Sequence, residues 1–140
     1  MREEASLELC VKASIRNIDE VTGFVNHQLR QMGCSKRSLL QIDVALDELF
    51  SNICRYAYDD VVGNVLVSVE ELEDGDSVQI TLVDKGIPFD PLAVKDPDVT
   101  LKLQERTIGG LGIFMVKRTM DDVQYEYRDG KNILTVVKSL

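Results

Sequence analysis

The sequence predicts an α+β sandwich, a mixed, mostly antiparallel sheet with helices packed on one face. Three observations predict it. Five segments alternate apolar and polar residues at the period of two of half-buried strands, and three others repeat apolar residues at helical spacing. Two pairs of the strand-like segments are joined by short turns containing Asp-Gly, a hairpin signal that makes those neighbours antiparallel. The helical segments are grouped between the strands rather than alternating with each one, which argues against a sheet built from parallel crossover units.

In chain order, residues 6–13 place Leu7, Leu9 and Val11 on one face of a strand. From Asn17 to about Met32, Ile18, Val21, Phe24, Val25 and Leu29 recur at helical spacing, with Gly33 as the stop. Ser35 can cap a second helix that runs to about Tyr58, with Leu39, Ile42, Leu46, Leu49, Phe50, Ile53 and Ala57 as its buried stripe. Strands from Val65 to Glu71 and from Ser77 to Val83 flank the turn at Asp74-Gly75. Residues 84–108 hold all three prolines and little periodicity; irregular chain of that length inside a domain is usually functional. A third helix opens at Gly109-Gly110-Leu111-Gly112 and runs to about Met120, and strands Val123–Tyr127 and Ile133–Val137 close a second hairpin around Asp129-Gly130.

The 140 residues fit one domain, expected to span 1–140, and neither an internal repeat nor a linker divides them. A net charge of −8 and a pI near 4.6 set the field of the molecule against phosphate backbones and anionic bilayers, so neither nucleic acid nor a membrane is expected as a partner. A polyanionic small ligand would need a local site of backbone N–H groups, a metal ion or placed cations. Cys10, Cys34 and Cys54 form no C-x-x-C pair and read as small buried hydrophobes. The first residues carry no signal peptide and no run of 18 apolar residues occurs, so the expected compartment is the cytoplasm.

Three stretches could carry chemistry. Glu48 and Asn52, four apart on the second helix, project from one face, where a carboxylate and an amide could hold a hydrated divalent cation and orient a nucleophile. A solvated polar face would show the same pair. Asp84 ends a strand and is followed by Lys85 and Gly86; it could accept a hydrogen bond from an exocyclic amine, although Asp-x-Gly is also an ordinary turn. The glycines at 109, 110 and 112 expose N–H groups where the third helix begins, as phosphate sites do, but lack the spacing of dinucleotide or Walker loops.

Together, and in this order, the stretches resemble the asparagine box and the two glycine boxes of the GHKL ATPase superfamily, whose fold is the two-layer Bergerat sandwich. More narrowly, residues 48–58, 84–91 and 109–121 are similar to those of the free-standing anti-sigma factor serine/threonine kinases, and the resemblance runs from Leu7 to Lys138. It implies ATP and Mg²⁺ as cofactors, with Asn52 as the Mg²⁺ ligand and Glu48 as general base toward a serine hydroxyl. It further implies that Asp84, with Gly86 beside it, reads the adenine amino group, that Gly110, Leu111 and Gly112 wrap the phosphates, and that Leu92 to Ile108 form a lid with Arg106 and Thr107 at its phosphate end. The implied partners are a small anti-anti-sigma protein of the STAS type, a sigma factor of RNA polymerase and a second copy of the chain in a homodimer. Tyr56 departs from the histidine common in that family, and His27 lies outside every motif. The alternatives are a nucleotide-binding switch of the same fold without kinase activity, a non-kinase GHKL ATPase, and a purely structural fold in which the motifs are accidental.

Overall fold

Among the described residues, the strands and α-helices follow in the order β1 (Leu7–Lys12), α1 (Ile18–Gln31), α2 (Lys36–Tyr56), β2 (Asn64–Glu71), β3 (Ser77–Asp84), α3 (Gly110–Thr119), β4 (Asp122–Arg128) and β5 (Lys131–Ser139). The computed structural model describes residues 7–58, 63–93 and 110–140. The Ser35 side chain accepts the Ser38 N–H and starts α2, satisfying one of the amide donors that a helix leaves open at its first turn. Arg55 in the last turn complements the negative end of the helix dipole.

The strands form one sheet in the order β1-β2-β3-β5-β4. Every pairing is antiparallel, so the parallel component expected of a mixed sheet does not occur among the described residues. The physical reason is the second hairpin: β3 and β4 run in the same direction one strand apart, and β5 turns back from β4 to fill the gap, so every hydrogen-bonded neighbour is antiparallel.

Alternation along the three inner strands decides which face is covered. Val65, Val67 and Val69 of β2, Val78, Ile80 and Leu82 of β3, and Leu134 and Val136 of β5 all point into the helical layer and are buried. From the helices, Val21, Val25 and Leu29 of α1, Ile42, Leu46, Leu49 and Phe50 of α2, and Ile113 and Val116 of α3 meet them. Full burial of each such side chain stabilises by about 1.5–3 kcal/mol, which makes this single layer the energetic centre of the domain.

Two sequence expectations change at the edge of the sheet. Leu7 shares its face with Leu9 and Val11 but is exposed, because it lies at the outer end of the edge strand. Cys10, expected to be buried, is exposed on the uncovered face, since it alternates with Leu9 and Val11; Cys34 and Cys54 are half-buried.

The same alternation puts two polar residues into the covered layer. Asp84, the last residue of β3, and Asn132, the second of β5, continue the inward-pointing rows of their strands and face each other across the ladder. Only 4% of each is exposed. A buried carboxylate and a buried amide at one end of an apolar layer require specific partners.

Candidate functional site

Asp84 finds its partners within the wall that holds it. Its Oδ1 accepts the Gly86 N–H at 2.9 Å and an N–H of Asn132 Nδ2 at 2.9 Å. Burial pushes the Asp84 carboxyl above the usual carboxylate range, and these two hydrogen bonds to the ionised form pull it part of the way back. Among the described residues Oδ2 has no hydrogen-bond partner.

Asn132 is the hub of this end of the sheet, and reading motifs missed it. Its Nδ2 donates to Asp84 Oδ1 and to the Ile87 carbonyl, 2.9 Å each, with the Gly86 carbonyl at 3.4 Å. Its Oδ1 accepts the Phe89 N–H at 3.1 Å and the Tyr125 hydroxyl. One side chain thereby ties the end of β3, the loop 86–89 and β4 together. A signal for it does exist in the sequence: Asn132 is in step with Leu134 and Val136, so a polar residue stands where the strand period calls for an apolar one.

Gly86 has a different task from the one expected of it. A Cβ there would overlap the Ala57 carbonyl at the end of α2, and the next amide, Ile87 N–H, donates to that carbonyl at 2.7 Å. Glycine is required so that β3's exit can lie directly against the helix end. Tyr58 reinforces the junction, accepting the Lys85 N–H at 2.9 Å and donating to the Asn64 carbonyl at 2.8 Å.

Above this wall lies a cleft of about 310 Å³, shared with solvent, into which Asn52, Asp84 and Asn132 face. Leu49, Ile53 and Leu134 supply apolar sides, and Phe89 stands at its edge. Tyr56, the departure noted above, stacks on Phe89 with ring centroids 4.9 Å apart and 29° between planes, so its place here is in packing at the rim.

The α2 pair separates as the helix turns. Asn52 is 7% exposed and lines the cleft, yet its amide has no hydrogen-bond partner among the described residues. Because the cleft is open to solvent, that amide can meet water or a polar group of a ligand. Glu48, one turn earlier and half-buried, lies against the first turn of α3: a Cβ on Gly112 would overlap its carboxylate. Gly112 therefore makes room for Glu48, and the amide-rich end of α3, which also holds Gly110 and Leu111, is a place where negative charge is favoured.

The structure thus brings Asn52 and Asp84 to one cleft and Glu48 to Gly112 beside it. Arg106, Thr107 and most of the expected lid, from residue 94 onward, lie outside the described residues. No cluster of three or more His, Cys, Asp or Glu able to hold a metal occurs among the described residues. No helix among them is long and apolar enough to cross a membrane.

Comparison with known proteins shows the family and the fold. The model of the histidine kinase-like ATPase domain matches residues 11–138. The serine-protein kinase RsbW of Bacillus cereus is 26% identical over 108 residues, covering 74% of this chain and 66% of its own length. RsbW proteins of Bacillus thuringiensis and Bacillus mycoides match over the same length at 26% and 25%. This chain therefore spans about two-thirds of the length of those relatives. A crystal structure of RsbU and RsbW domains from Mycobacterium tuberculosis superposes with a TM-score of 0.68 at 18% identity, over 96% of this chain and 32% of that one.

Proposed function

This chain belongs to the histidine kinase-like ATPase domain family, and on that premise we propose that it is an anti-sigma factor serine/threonine kinase. In this reading it binds Mg·ATP, transfers the γ-phosphoryl group to a serine of an anti-anti-sigma partner, and sequesters a sigma factor of RNA polymerase. The observation that carries it is the cleft itself: a buried carboxylate with one oxygen held in the wall, an unpartnered amide opposite, and the open end of a helix beyond. Those three features would suit the parts of Mg·ATP, the carboxylate its base, the open amide its metal and the helix end its phosphates. The relatives named as serine-protein kinases favour this reading over an ATPase of another class.

Each residue has a definite duty in it. Asp84 accepts the hydrogen bond of the adenine amine through Oδ2, and Gly86 keeps the wall behind it close to α2. Asn52 fits a magnesium ligand because its amide oxygen is a neutral, hard donor left open to the cleft, as suits an ion that keeps several waters and takes its other ligands from phosphate. Bound there, the ion would neutralise charge on the phosphates. The N–H groups at Gly110, Leu111 and Gly112 receive phosphate oxygens at the helix end, and the resemblance assigns Arg106 and Thr107 to the same phosphates. Glu48 orients the incoming serine hydroxyl and takes its proton, so that catalysis rests on positioning and charge neutralisation. The assembly is a cytoplasmic homodimer.

Glu48→Gln tests the assignment. The amide keeps the size of the side chain beside Gly112 but removes the proton acceptor, so Mg·ATP affinity is expected to stay within about twofold while single-turnover transfer to the partner serine falls by about 10²–10⁴. Transfer at the wild-type rate would shift the reading to the nucleotide-binding switch without kinase activity. Saturating Mg·ATP at about a hundredfold over its Kd should raise stability by roughly 2.7 kcal/mol, and an unchanged melting curve would remove the nucleotide from the proposal altogether.

A further inference from the structure

Asn132 occupies no place in the reading above, yet its hydrogen bonding dictates how residue 84 meets a ligand. An asparagine amide offers two donors and two acceptor sites, and all four are used here. The Phe89 N–H can only donate and the Ile87 carbonyl can only accept, so the amide has one possible orientation: oxygen toward Phe89, nitrogen toward Asp84. The atom of residue 84 that faces Asn132 must therefore be an acceptor. Gly86 N–H adds a second donor to the same atom.

We propose that Asn132 is a specificity-determining positioning residue: by holding an acceptor atom of residue 84 in the wall, it fixes the polarity of the atom that residue 84 presents to a purine 6-substituent. This deepens the Mg·ATP reading and rests on it. With aspartate at 84 the second atom is also an acceptor and selects a 6-amino group. With asparagine at 84, the side-chain oxygen is claimed by Asn132 and Gly86, so the NH₂ has to face the cleft and selects a 6-oxo group instead. Asp84→Asn should therefore invert the preference of the site rather than merely weaken it. Inosine triphosphate is the suitable probe because it carries a carbonyl where ATP carries the amine, without the extra 2-amino group of guanine.

The same arrangement has a pH signature. Burial raises the Asp84 carboxyl, and the Asn132 hydrogen bond opposes that rise. The titratable groups facing it, Tyr58 beyond the end of α2 and Tyr125 on β4, are both pushed above the ordinary tyrosine value by burial and stay neutral in the range where Asp84 titrates. Removing the Asn132 donor should move the acid limb of ATP binding to higher pH, whereas a purely structural loss would weaken binding alike at every pH.

Calorimetry of ATP and inosine triphosphate, each with Mg²⁺, on the full chain tests this. Wild type should prefer ATP by about tenfold or more, because the wrong 6-substituent leaves a buried polar atom of the wall facing its own kind. Asp84→Asn should prefer inosine triphosphate. Asp84→Asn combined with Asn132→Ala frees the amide to turn over, and the two affinities should come within about threefold of each other. An Asp84→Asn protein that weakens both nucleotides and keeps the wild-type ratio overturns the inference alone, and that variant decides even where Asn132→Ala does not fold. Wild type binding neither nucleotide overturns the Mg·ATP reading and this inference with it.

Discussion

Among the described residues, Asp84 with Asn132 at the end of β3 and the partly buried Asp43 with Asn26 between α1 and α2 are carboxylate–amide pairs in which burial raises the carboxyl above the usual range. The first pair is saturated on its protein side. The second is joined by one long contact, Asn26 Nδ2 to Asp43 Oδ2 at 3.5 Å, and both remaining oxygens are buried without a partner among the described residues. Arg30 and the Asn26 contact lower the Asp43 carboxyl only against a larger effect of burial. The difference separates two reasons for burying polar groups: one pair is held by strand register to face a cleft, while the other is caught where two helices close over it at the edge of the layer.

The largest contrast should come from removing the two amides. Asn132→Ala takes one hydrogen-bond partner each from the Phe89 N–H, the Ile87 carbonyl and Asp84 Oδ1, and should lower stability in urea unfolding by about 3 kcal/mol. Asn26→Ala removes a contact that is hardly a hydrogen bond and relieves one orphaned oxygen, so its cost should stay below about 1 kcal/mol. Equal costs would erase the distinction.

Next in size is the backbone that sets up the first pair. Gly86→Ala drives a methyl into the Ala57 carbonyl, which is main chain and cannot swing aside, and should cost about 2 kcal/mol together with the orientation of Asp84. The corresponding methyl at Gly112 meets the end of the Glu48 side chain, which can move, so Gly112→Ala should leave stability nearly unchanged and reduce phosphoryl transfer instead. Melting curves and single-turnover rates on the two variants sharpen the comparison between a wall and a reacting group.

The smallest effect belongs to Asp43→Asn. An amide at 43 can donate to the orphaned Asn26 Oδ1, and it carries no charge to desolvate. Because the folded carboxyl is raised, its contribution to stability is complete below its ordinary value of 3.8 and is lost as pH rises through the folded value. The variant should therefore be more stable than wild type at pH 7, by less than about 0.5 kcal/mol given the partial exposure of the group, and indistinguishable from it below that carboxylate range. A variant less stable at neutral pH would mean that Asp43 is paired after all.

Much of this was legible before any coordinates. The strand and helix periods place the described strands and α-helices, and Ser35, Gly33 and the Asp-Gly turns lie where the chain starts and stops them. Asn52, noticed for its spacing from Glu48, and Asp84, noticed as an acid at a strand end before a glycine, line one cleft, and Glu48 stands beside Gly112. Gly86 was noticed for the room it leaves a ligand, whereas the close approach it permits is that of Ala57. Asn132 passed unnoticed because its one signal, a polar residue in step with Leu134 and Val136, belongs to no motif and stands beside a hairpin turn, where polar residues are ordinary.

What the sequence by itself determined is what near neighbours along the chain decide: period, caps, turn chemistry, and the helical spacing that gives Glu48 and Asn52 a common side. Only the tertiary structure decided which atoms those residues meet. Asn132 reaches Asp84 because β5 inserts next to β3 in a register that pairs two positions 48 residues apart, and Gly86 touches Ala57 because the exit of β3 packs on the end of α2. Hydrogen-bond saturation and close backbone approach depend on three-dimensional register to within a fraction of an ångström, and a one-residue slip would turn Asn132 to the uncovered face of the sheet.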